Sequence, residues 1–282
     1  MTTSSVSPVP KNLSPDCLIG LKRISELIET VIWTGSVRDE DPVSAVLIAP
    51  QESAKTELLK QYRGTVSLEF FSDLTARGLT AFKSDIESGR LRHIVLLDLI
   101  RILAHPRVTA DRTIQTIAGL IEEGQANIAD AGGVERWKGD VKLPRIGALI
   151  GVTPAVYERK RKMFRDTGFM SRFLPVRYSY SEKTSKAIHY AIEHGTPKPS
   201  ATPIKLPEKK LYARISPQIA TLVKDLGQSL GVSENTYGFR WHRAMRCLAK
   251  ARAIKNRRGV VTLEDFRVIE NWCEFFEGEV IL

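Results

Sequence analysis

The stretch that most constrains this chain is Val43 to Thr56, VSAVLIAPQESAKT. Val43 to Ile48 is a short apolar run, so it reads as a buried strand of a parallel sheet. Eight residues follow it: Ala49, Pro50, Gln51, Glu52, Ser53, Ala54, Lys55 and Thr56. That octet has the length of the phosphate-binding loop G-x-x-x-x-G-K-[ST], with Lys55 and Thr56 in its last two places and alanine at both glycine positions.

The residue types fit a definite chemistry. Loop N–H groups can surround phosphate oxygens, a lysine adds a point charge, and a threonine hydroxyl can ligate Mg²⁺. Glycine is favoured there because such loops use positive φ, which is costly for alanine. Two readings stand side by side: a nucleotide site, or an ordinary strand–loop–helix turn with a surface lysine.

Further strands follow the same plan. His93 to Leu97 (HIVLL) ends in Asp98, and Arg145 to Val152 (RIGALIGV) ends in Thr153-Pro154. An aspartate closing an apolar strand after a phosphate-loop candidate can hold Mg²⁺, or it can simply cap the next helix. Strands alternating with helical segments predict an α/β fold with a parallel, three-layer core, whose ligands bind at the carboxyl ends of the strands.

Charge narrows the partners. The 282 residues carry a net charge of +10 and a pI near 9.6, a balance that favours polyanions, DNA first among them. No run approaches the roughly 18 apolar residues of a membrane span. Three scattered cysteines, Cys17, Cys247 and Cys273, form neither a metal pattern nor a disulfide framework, which fits a reducing, cytoplasmic setting.

Along the chain, residues 1–13 read as a disordered tail and 14–30 as an amphipathic helix. Helices are expected over 57–62, 74–88, 109–123 and 154–166, with a further strand over 65–70. Residues 196–207, with four prolines in twelve positions, read as a linker. The division expected is a core over 14–195, a linker over 196–215 and an α-helical lid over 216–282. Helices are placed at 216–230, at 238–253 and from Thr262, where TLED suits a capping box.

The order of these landmarks resembles an AAA+ ATPase, especially the branch of minichromosome maintenance helicases and MoxR-type ATPases. ANIADAGGV at 126–134 is similar to the stretch opening the presensor hairpin. Ser171-Arg172-Phe173 is similar to the element bearing the arginine finger, and residues 238–266 to the sensor-2 helix of the lid. The resemblance implies ATP and Mg²⁺ as cofactors, with Lys55 and Thr56 on phosphate and metal and Asp98 on the metal. It makes Thr153 sensor 1, Arg172 the arginine finger and Arg240 sensor 2. In the family the finger serves a neighbouring subunit, so a ring or helical homo-oligomer is implied. The insert 131–144 would be a DNA-contacting hairpin carrying Arg136, Trp137, Lys138 and Lys142.

Departures accompany the likeness. Besides the two alanines, the residue after Asp98 is Leu99 where a hydrolytic enzyme of this type has glutamate, with Glu122 or Glu123 as candidate substitutes. The function expected is an ATP-binding, DNA-engaging AAA+ protein whose hydrolysis is slow or absent. The alternatives are a MoxR-like protein-remodelling chaperone and a non-hydrolysing scaffold.

Overall fold

The computed structural model describes residues 18–124, 127–130, 133–136, 144–195 and 201–282. The expected tail at 1–13 lies outside them.

Helix α1 (Lys22–Thr34) leads into strand β1 (Ser44–Ile48), the eight-residue loop, and the short helix α2 (Lys55–Lys60). Then come β2 (Leu68–Phe71), α3 (Ala76–Thr80), α4 (Lys83–Glu87) and β3 (His93–Leu96). Helices α5 (Leu99–Leu103) and α6 (Arg107–Glu122) precede an antiparallel hairpin of β4 (Asn127–Asp130) and β5 (Gly133–Arg136). Strand β6 (Gly147–Val152), helix α7 (Pro154–Asp166), strand β7 (Phe173–Ser179) and helix α8 (Glu182–Glu193) complete the α/β part. Three long helices, α9 (Pro217–Ser233), α10 (Phe239–Lys255) and α11 (Leu263–Glu277), and a two-residue strand β8 (Val280–Ile281) end the chain.

Six strands form one sheet in the order β2-β3-β6-β1-β7-β8, and every pairing in it is parallel. The α/β expectation is met. Alternate residues of β1 enter opposite cores, as a period of two requires. Ala45 and Leu47 of β1 pack with α1 and the C-terminal helices, while Val46 and Ile48 pack on the other face with α5, α6 and α7. The C-terminal helices therefore share one hydrophobic core with α1 and β1.

Strand β6 owes its two glycines to close approach. A Cβ at Gly147 would lie 2.3 Å from the His93 ring, and one at Gly151 2.5 Å from the Leu97 carbonyl oxygen. His93 is fully buried, and burial drops its pKa to about 4, so it is a neutral core residue.

Two helices differ from expectation. The first runs over 22–34 rather than 14–30: 14–17 lie outside the described residues, and Gly20 adopts φ +79°, which breaks the helix before Leu21. The helix expected over 74–88 is split into α3 and α4 at Ala81–Phe82. The capping box at Thr262 is present, with Asp265 as its reciprocal partner. Residues 201–215 are laid along the core rather than free of it. Ile204 N–H donates to Thr65 Oγ1 at 2.9 Å, and the Arg92 guanidinium donates to the Pro207 carbonyl at 2.9 Å.

Candidate nucleotide site

Because the sheet is all parallel, the carboxyl ends of its strands open on one edge, the edge where α/β proteins bind ligands. The octet lies there. Its first residue is tied to the next strand: Ala49 N–H donates to the Val152 carbonyl at 3.3 Å. Thr153 therefore stands beside the loop. Its hydroxyl accepts from Val156 N–H at 3.4 Å and caps α7, which Pro154 opens.

Both alanine-for-glycine positions have clear fates. Ala49 is fully buried and in ordinary backbone. Ala54 takes φ +58°, ψ 18°, the left-handed conformation for which glycine is favoured, and Glu52 takes φ +61°. A left-handed non-glycine residue costs roughly 1–2 kcal/mol, so the loop holds its shape against strain. Left-handed residues in a tight turn bring successive N–H groups toward one concavity, the geometry of an anion nest.

Lys55 points into its own loop. Its Nζ donates to the Ala49 carbonyl at 2.6 Å, to the Pro50 carbonyl, and to Ser53 Oγ at 3.2 Å. Burial lowers the Lys55 pKa, and the charge of Asp98 works against that shift. Asp98 is therefore within electrostatic reach of Lys55, although β6 stands between their strands. The Asp98 carboxylate is exposed and accepts from Ile100 N–H at 3.0 Å, so the helix cap is realised. Cap and metal ligation use different lone pairs and are compatible. Thr56 is half-buried at the start of α2. A hydrogen-bonded pair escaped sequence reading: His105 Nε2 lies 2.8 Å from Asp73 Oδ1 beyond the end of β2.

These groups fit a phosphate tail with a magnesium ion. They comprise a cation, a hydroxyl, an exposed carboxylate and a loop with left-handed backbone. Among the described residues no cluster of three or more His, Cys, Asp or Glu could hold a metal by itself. Mg²⁺ in phosphate sites draws much of its coordination from phosphate and water, so such a cluster is not required.

The arginines stand elsewhere. Arg172 and Arg240 converge on one carboxylate, Glu122: Arg172 Nη2 pairs with Oε2, and Arg240 Nη2 pairs with Oε1 at 2.6 Å. They border a cleft of about 870 Å³ whose wall includes Val43, Ser44, Phe173 and Leu174, the amino ends of β1 and β7. Within one chain, neither arginine is on the loop's edge of the sheet. Glu122, held between them, does not substitute for a carboxylate at position 99. Burial raises its pKa, but the hydrogen bond from Arg240 and the charges of both arginines outweigh this and hold it below the usual carboxylate range. Leu99 itself is fully buried.

Arg136 is the last residue of β5, whereas Trp137, Lys138 and Lys142 lie outside the described residues. No helix among the described residues is long and apolar enough to cross a membrane. No protein-family model matches the chain, and no curated protein matches it significantly.

Proposed function

We propose that this chain is an ATP-binding protein of the AAA+ type, close in plan to the minichromosome maintenance and MoxR branch, that assembles with its own copies and engages DNA. The observation that carries the reading is the meeting of Lys55, Asp98 and Thr153 at one edge of a parallel sheet, although they come from three separate strand ends.

In this reading Lys55, now donating to its own loop carbonyls, would supply a cation to the phosphates, and Thr56 and Asp98 would hold the magnesium ion. A magnesium ion held there would supply positive charge against the phosphates. Thr153 presents a hydroxyl from the neighbouring strand end. Arg172 and Arg240, at the opposite edge, support assembly, because from there an arginine meets a nucleotide only on another copy. With Leu99 buried, the place of the water-orienting carboxylate is apolar, which favours an ATP-gated binding protein with slow hydrolysis. The net charge of +10 and the hairpin ending at Arg136 support a polyanionic partner.

The test is binding of an ATP analogue and of single-stranded DNA, by calorimetry and fluorescence anisotropy, for the wild type and Lys55→Ala. Expected are nucleotide binding lost in the variant and DNA binding that weakens steeply with salt and strengthens with nucleotide. A wild-type protein that binds neither at low salt overturns the reading.

A further inference from the structure

The octet is held in shape from outside itself. Tyr178 in β7 and Tyr180 just beyond its end direct their hydroxyls to a single acceptor, the Ser53 carbonyl oxygen, each at 3.1 Å. Tyr178 is fully buried, Tyr180 half-buried, and their rings are 6.5 Å apart. Together the two phenols occupy both lone pairs of that oxygen. Burial raises both phenol pKa values, that of Tyr180 to about 12, so both remain protonated donors at neutral pH.

A trans peptide unit is planar, with its C=O and N–H on opposite sides, and no cis bond occurs among the described residues. Anchoring the Ser53 oxygen against β7 therefore aims the Ala54 N–H away from β7. The same anchor fixes the peptide that leads into the left-handed residue Ala54. Ser53 is braced a second time within the loop, its hydroxyl donating to the Pro50 carbonyl at 2.7 Å.

We infer that Tyr178 and Tyr180 are positioning residues, a two-phenol clamp that sets the 53–54 peptide in the orientation a glycine at position 54 would adopt without strain. The inference deepens the reading of the octet as a phosphate site and rests on it for its functional consequence. The clamp explains how alanine stands at position 54 while the loop keeps left-handed backbone there. It also links the loop to the strand that begins beside Arg172, since β7 starts at Phe173 and ends at Ser179, between the two tyrosines.

The experiment uses the full chain with Tyr178→Phe/Tyr180→Phe, the same pair plus Ala54→Gly, and the single Tyr180→Phe should the pair fold poorly. Phenylalanine keeps the rings and removes only the hydroxyls. Amide hydrogen exchange of residues 49–56 is followed without nucleotide, alongside affinity for a fluorescent ATP analogue and the thermal midpoint. The phenylalanine variants are expected to exchange faster in the loop and to bind the analogue about tenfold more weakly, the loss expected from about 1.4 kcal/mol. Adding Ala54→Gly is expected to restore affinity, because glycine adopts the conformation unaided. Unchanged loop exchange, or a loss of affinity that glycine does not repair, overturns the clamp. A wild type that binds no analogue, like Lys55→Ala, refutes the phosphate reading instead, and the exchange comparison then still decides the clamp.

Discussion

Asp98 raises the proton affinity of Lys55 while burial lowers it, and burial wins. The ammonium therefore loses its proton at a lower pH than an ordinary lysine does. Between its folded pKa and the ordinary lysine value the unfolded chain binds the extra proton, so this group makes stability rise with pH in that window. Nucleotide binding has the opposite sign, because the phosphates need the charge. Affinity for an ATP analogue is expected to fall as pH climbs through the lowered pKa. In Asp98→Asn the fall begins at lower pH, because the opposing charge is gone. Calorimetric titrations from about pH 7 to pH 10 read both curves, and coincident profiles would refute the coupling.

The strands carrying this relationship were legible because their apolar runs are buried on both faces and bounded by turn residues. Strand β7 was not legible, and Pro175 is the reason: a proline argues against a sheet interior. The structure tolerates it because β8 joins β7 only at Tyr178 and Ser179, leaving Pro175 with β1 as its one neighbour. The tyrosine hydrogen bonds to Ser53 span 125 and 127 residues, and no local pattern encodes such contacts. The same holds for Arg240 and Glu122, which are 118 residues apart. The residues of the loop were readable; what holds them was not.

The Glu122 carboxylate is shared by Arg172 and Arg240, and it joins α10 to the end of α6. Its pKa is depressed, so the stability it contributes is present above the ordinary carboxylate pKa and is lost as pH falls through the lowered value. The pair is partly exposed, so Glu122→Gln is expected to cost less than about 1 kcal/mol in urea unfolding. The freed arginines are expected to favour nucleotide-dependent self-association, read by light scattering with an ATP analogue. Weaker association in the variant would show that Glu122 builds the assembling surface instead of occupying it.

The crossing of α9 and α10 depends on missing side chains. A Cβ on Gly227 would stand 2.5 Å from His242 Cα, and one on Gly231 2.3 Å from Gly238 Cα. Backbone cannot yield as a flexible side chain can. Gly227→Ala is therefore expected to destabilise the protein by about 1–3 kcal/mol despite alanine's better helix propensity. Chemical denaturation measures it. A stabilised variant would mean that the helices separate at no cost.

Position 99 bears on whether the site hydrolyses ATP. On the sequence alone, raised turnover in Leu99→Glu would show an otherwise intact site that lacks only its water-orienting carboxylate. The structure gives a different expectation. Leu99 is fully buried and packs in the core formed by β3, β6, α5 and α6. Its neighbour Asp98 is the residue that faces solvent. A glutamate at 99 would enter an apolar core without a partner, costing several kcal/mol or staying protonated through a raised pKa. In neither state does it orient water beside a phosphate. Leu99→Glu is thus expected to lower the unfolding midpoint markedly and to leave ATP turnover no faster than in the wild type. A phosphate-release assay beside a thermal melt decides it: a stable variant with raised turnover would place position 99 at the reaction centre and overturn the packing argument.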